Sequence, residues 1–315
     1  CMVVTLLPST ALAAEEGETW AEAVLEKPAG YSVDTAEKTV TISNAEGLAW
    51  FAKEINSWES KAANEKVSFA GYTINITDDI DLSGKLWIPI DASTVKLIDV
   101  EEQQKIDRDQ TYNNKLLAGA VINGNGHTIS NMVVKNTVRG PRYDSTPGDG
   151  QNSYYYAGFI GRTTGDLTIH NLTFAGASVD AYNEQFVEEH GGSSMAVVSG
   201  YYGGGTLTLN NVTVSDCLVD GMQKVGGYVG QCSGAVTINK CAVVDSTFRS
   251  LYQCAPVIAY AMNSQYNNDD GTVPSKRANM LTINGVKLEN NRVVIVKEED
   301  VTYKTIGKNV DVWYY

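Results

Sequence analysis

The chain has 315 residues, with 24 Lys and Arg against 37 Asp and Glu, a net charge of −13. That balance argues against nucleic acid or an anionic membrane surface as the main partner. Charged residues make up only 19% and hydrophobic ones 43%, so the chain is not a disordered acidic segment. The 29 glycines, 7 prolines and 17 tyrosines against 6 phenylalanines suit a turn-rich, all-β protein with much polar aromatic surface.

Residues 1–13 read as the end of a secretory signal peptide. An apolar run leads to Ala11-Leu12-Ala13, a small-residue cleavage site, and then to acidic sequence. The address expected from this is secreted or cell-surface, with residues 14–37 as a lead-in and 38–315 as one domain. No later stretch reaches the roughly 18–20 apolar residues of a membrane span. Within the domain, Ser43 and Glu46 have capping-box spacing, and Leu48, Phe51, Ala52 and Ile55 share one helical face. They predict an amphipathic capping helix over about 44–57. Residues 91–118 are polar without a clean period and read as a loop excursion.

From about residue 67 to 296 the chain repeats itself. Thr128-Ile129-Ser130-Asn131, Thr168-Ile169-His170-Asn171, Thr208-Leu209-Asn210-Asn211, Thr237-Ile238-Asn239-Lys240 and Thr282-Ile283-Asn284-Gly285 share one pattern, at offsets of 40, 40, 29 and 45 residues. Each begins with strand alternation and then breaks parity, because the next apolar residue comes three positions later. The residue at the break is predicted to be a corner of positive φ, which Asn and Gly tolerate best. Asn131, Asn171, Asn211 and Gly285 are expected to share one such structural corner, with Lys240 as the exception. A glycine-rich strand precedes the repeat three times: Ala157-Gly158-Phe159-Ile160-Gly161, Ala196-Val197-Val198-Ser199-Gly200 and Gly226-Gly227-Tyr228-Val229-Gly230. Ala255-Pro256-Val257-Ile258-Ala259 is a more distant version. Such short strands cannot bury a face alone and must stack in parallel, about 4.8 Å apart.

Gly158-Phe159-Ile160-Gly161 and Gly227-Tyr228-Val229-Gly230, each followed by a Thr-Ile strand, resemble the GLUG motif of secreted bacterial surface proteins of gut-commensal type. Ile122-Asn123-Gly124-Asn125-Gly126-His127-Thr128-Ile129 is similar to the first-coil signature of right-handed parallel β-helices. The resemblance spans roughly 38–290. It implies a single-stranded right-handed parallel β-helix, or β-solenoid, and carries over no catalytic residue.

Three insertions interrupt the repeat. Those at 137–155 and 180–194 occupy equivalent places and should emerge side by side, whereas 261–279 should emerge from a different corner. Loops on a rigid scaffold are where binding concentrates. Arg142, Tyr143, Tyr154, Tyr155, Tyr156, Tyr182, Tyr201 and Tyr202 are the candidate binding residues, able either to stack on sugars or a partner protein or to brace the loops. Asp78, Asp79, Asp81 and His127 read as turn residues. Neither Glu188-Glu189-His190 nor Asn267-Asn268-Asp269-Asp270-Gly271 has the spacing of a standard metal site, and no catalytic motif occurs. Cys217, Cys232, Cys241 and Cys254 allow three disulfide pairings that sequence does not choose between, with Cys241 at an inward position. The expectation is a monomeric, cofactor-free module for glycans or host or bacterial surface proteins. A polysaccharide lyase or glycoside hydrolase is the alternative, and a passive stalk the third.

Overall fold

A computed structural model describes residues 18–58, 61–91, 93–94, 114–135, 155–180, 193–221, 223–261 and 280–295. Among the described residues the chain is all-β with two short α-helices, and its strands gather into stacked, mainly parallel sheets. Sheet I holds Thr39–Ile42, Thr73–Ile76, Ala120–Asn123, Leu167–Ala175, Thr206–Ser215, Ala235–Val244 and Leu281–Glu289 in that order, with Tyr31–Asp34 antiparallel at its edge. Sheet II holds Val133–Lys135, Ser178–Asp180, Leu218–Asp220, Thr247–Ser250 and Arg292–Ile295. Sheet III holds Tyr155–Ala157, Ser193–Ala196, Lys224–Gly226 and Gln253–Ala255. Sheet IV holds Ile90–Asp91, Ile160–Thr163, Ser199–Tyr202, Val229–Cys232 and Ile258–Ala261. From Ile160 onward the chain visits the sheets in one fixed order, so each repeat adds one strand to each stack.

The parity break is visible in the burial of every long strand of sheet I that lies within the core. Leu167, Ile169, Leu172 and Phe174 point inward, as do Leu207, Leu209, Val212 and Val214, and Val236, Ile238, Cys241 and Val243. A residue of positive φ lets two apolar half-strands face the same core. Asn171, Asn211, Lys240 and Gly285, at φ of 52°, 54°, 51° and 80°, lie in register at this corner. The Asn211 amide donates to Asn171 Oδ1 at 3.0 Å, which links two corners.

Asn131 corrects the expected column. Its strand, Thr128–Ser130, pairs with Thr173–Ala175, the second half of the long strand. Asn131 (φ 55°) therefore falls at the next corner, beside Gly176, Asp216, Asp245 and Asn290, all of positive φ. The two half-strands are alike in sequence: each reads Thr, an apolar residue, a small or polar residue, then the corner. That likeness is why Asn131 aligns so readily with the wrong partner.

Helix α2 (Ala45–Asn56) buries Leu48, Phe51, Ala52 and Ile55 as its spacing predicts. Its N-cap is Asn44 and not Ser43, for the Asn44 side chain accepts from Gly47 N–H at 2.9 Å. A complete capping box stands instead at Thr19 and Glu22 of helix α1 (Trp20–Ala23). Asn56, at the end of α2, meets the outer edge of sheet IV. Its amide donates to Pro89 O (3.1 Å) and accepts from Asp91 N–H (2.8 Å). The stretch 14–37 supplies Trp20, Val24 and Tyr31 to the same apolar core as the repeats.

Asp79 and Asp81 act as turn residues. Asp79 accepts from Thr128 N–H at 2.9 Å and contacts His127 at 3.3 Å, and Asp81 accepts from the Asn131 amide at 2.9 Å. These bonds hold both carboxyls below their ordinary range. All four later cysteines are free thiols, and Cys217, Cys232 and Cys241 are buried. The strands flanking 137–155 and 180–194 put both insertions between sheets II and III, whereas 261–279 joins sheet IV to sheet I. No described helix is long and apolar enough to cross a membrane.

Candidate functional site

The glycine-rich motif carries the chain from sheet III straight into sheet IV. The inward side chains there, Phe159, Val198 and Tyr228, are buried. On the other side the two backbones nearly touch. A Cβ on Gly200 would lie 2.7 Å from Ser194 O, and one on Gly230 would lie 2.5 Å from Met195 N, so only glycine fits. Sheets III and IV thus form a narrow V.

Just beyond the glycines two facing columns of polar side chains line the junction of sheets III and IV, termed the crevice. In sheet IV the register runs Asp91, Arg162, Tyr201, Gln231, Tyr260, which are the residues directly after Ile90, Gly161, Gly200, Gly230 and Ala259. In sheet III it runs Tyr156, Ser194, Lys224, Gln253. The columns touch along their length. Tyr156 stacks on Tyr201 with ring centroids 4.9 Å apart and 29° between planes. The Arg162 guanidinium sits 5.8 Å from the first ring and 5.7 Å from the second. Ser194 donates to Gln231 Oε1 at 3.1 Å, and Lys224 Nζ lies 5.2 Å from the Tyr260 ring.

The middle of the crevice is filled by its own side chains: Ser194, Tyr201 and Gln231 are buried. Its two ends are half-buried and differ in kind. One end presents Tyr156 and Arg162, with Asp91 in register beside the arginine. The other presents Lys224, Gln253 and Tyr260. Burial alone lowers the Lys224 pKa, and among the described residues no carboxylate pairs with it.

Of the tyrosines expected to bind, the fold brings Tyr156 and Tyr201 together. Tyr202 belongs to the core. It is wholly buried, and its hydroxyl donates to Gly165 O, so it offers no face to a ligand. Alternation within Ser199–Tyr202 explains this, because neighbouring tyrosines point to opposite sides. Tyr155 lies in a sheet III strand, but its side chain, like Arg142, Tyr143, Tyr154 and Tyr182, lies outside the described residues. Arg162, Ser194, Lys224, Gln231 and Tyr260 join the site although nothing in their own chemistry marks them in the sequence. Their signal is positional: those in sheet IV directly follow the last residue of each glycine-rich motif.

A second column runs along sheet II, from Lys135 through Asp180 and Asp220 to Arg249. Burial, and to a lesser degree Asp180, raises the Asp220 pKa, while Arg249 offsets part of this through an ion pair at 3.2 Å. Among the described residues no three His, Cys, Asp or Glu side chains come together at metal-ligand spacing. Glu188, Glu189, His190 and 267–271 lie outside the described residues.

No family model and no curated protein matches this chain. It is similar to a solved structure from Bacteroides ovatus titled a "putative immunoglobulin A1 protease". The identity is 14% and the TM-score 0.33, over 85% of this chain and 78% of that one. At that TM-score the likeness carries neither fold nor activity.

Proposed function

We propose that this chain is a secreted or cell-surface, non-enzymatic binding module that takes glycan on the crevice between sheets III and IV. The scaffold in this reading is a single-stranded right-handed parallel β-helix of the GLUG type. Parallel stacking in register, one strand per repeat in each sheet, supports that scaffold. The observation that carries the function is the Tyr156–Tyr201 stack with Arg162 against both rings. A half-buried ring held by a second ring loses little conformational freedom on binding, and the face of a sugar packs well on it. The neighbouring, half-buried Arg162 supplies donors for ring hydroxyls.

The test is a glycan array probed with the wild-type protein and with Tyr156→Ala. The expected result is a discrete set of bound glycans, with signal cut about tenfold or more by the substitution. A blank array would overturn the reading and leave a passive stalk. The enzyme alternative rests on Asp180 and Asp220, whose registered carboxyls match in kind the pair that glycoside hydrolysis needs. Release of reducing ends from polysaccharide, abolished by Asp220→Asn, would establish it over the binding reading.

A further inference from the structure

We propose that the Lys224–Tyr260 end of the crevice takes the carboxylate of an acidic sugar, so that the module selects uronate-containing glycans over neutral ones. The inference rests on the binding reading above and adds a ligand class to it.

Two cations line the crevice of a chain whose net charge is −13. They are not equivalent. Arg162 has the carboxylate residue Asp91 beside it in register. Lys224 is flanked in its own column by Ser194 and Gln253, both uncharged, and faces Gln231 and Tyr260 across the crevice. A half-buried ammonium with no carboxylate paired to it among the described residues has lost part of its water and gained a ring face and neutral dipoles in return. An incoming anion supplies what is missing.

The surroundings select among anions. Tyr260 presents an aromatic face beside the ammonium, and the half-buried Gln253 presents an amide next to it. A sugar ring bearing a carboxylate uses all of these at once: ring face on tyrosine, hydroxyl on the amide, carboxylate on lysine. The register sets Lys224 two strands along the stack from Tyr156, about 10 Å away. A glycan lying along the stack therefore meets the aromatic pair first and the cation one or two sugars later.

Lys224→Met tests this, because among the described residues its removal leaves no carboxylate without a partner, and the variant is expected to fold. Lys224→Gln is the polar control, and circular dichroism verifies both. Titration calorimetry would compare tetragalacturonate with its carboxyl-reduced, neutral counterpart. Wild type is expected to bind the acid at least about tenfold tighter, as a charge-assisted bond allows. Both variants should lose that preference. Equal binding of acid and neutral forms, both lost in Tyr156→Ala, would overturn this inference while the binding reading stands. Binding of neither form by wild type would overturn both. A tetraglutamate peptide that binds as tightly as the uronate would overturn the sugar assignment in favour of acidic protein.

Discussion

Cys217 shows how much a single position decides. Its thiol is buried with the core, where desolvation pushes its pKa up to about 12; Cys232 rises to about 12 and Cys254 to about 11. A folded-state pKa above the unfolded value gives stability that is complete below about pH 9 and is lost as pH rises towards 11–12. Burial raises the pKa of Tyr202 and Tyr228 in the same direction. We expect the unfolding free energy to fall above pH 9, by about 2 kcal/mol per fully buried thiol near pH 10.5. A thiol reagent should react slowly with Cys217, Cys232 and Cys241 in the native protein at pH 8, and with all three readily once denaturant is added. Fast native reaction at Cys217 would contradict the burial. Lys224 has the opposite sign: its pKa is lowered, so its penalty is relieved as pH rises through the folded value towards 10.5.

The elements differ in how plainly they were written. Helix α2 was legible because an apolar face at helical spacing has one reading, and its buried residues match. Its cap was not, since Ser43 and Asn44 are both good caps and only tertiary contact distinguishes them: a Cβ at Gly30 would strike the Asn44 side chain. The long strands were legible through their parity break. Asn131 misled because a corner residue shows that the chain turns and not which turn it makes. The crevice was least legible, for it depends on two columns drawn from strands far apart in sequence. Tyr156 and Tyr201 stood out as aromatics, whereas Ser194 and Gln231 look like any surface polar residue. One element-level prediction concerns the sheet edge. Asn56→Ala removes the partner of both Pro89 O and Asp91 N–H. It should cost about 1–3 kcal/mol in denaturant unfolding, more than an exposed Asn→Ala elsewhere in the chain. A cost below about 0.5 kcal/mol would show that water replaces the amide.

At the scale of the molecule, each repeat touches only the one before and the one after in every stack. Stability in such arrays is a sum of repeat terms and nearest-neighbour terms. Ile122, Ile169, Leu209 and Ile238 form one inward column across four successive strands. Ile122→Val and Ile238→Val, about 14 Å apart, should add within about 0.5 kcal/mol, whereas Ile169→Val and Leu209→Ala should couple measurably. Strong coupling between the distant pair, read from a double-mutant cycle, would argue for one indivisible core. The ladder of asparagines carries a further consequence. Asn171 to Asn211, Asn210 to Asn239 and Asn239 to Asn284 are spaced 40, 29 and 45 residues apart, yet each pair meets side by side. Phase is kept while length drifts. A residue added inside Leu167–Ala175 would turn every later side chain of that strand to the wrong face, whereas many added between sheets II and III leave every registered pair where it was. Such a chain can lengthen its loops freely over evolutionary time and still be unable to absorb one extra residue in a rung.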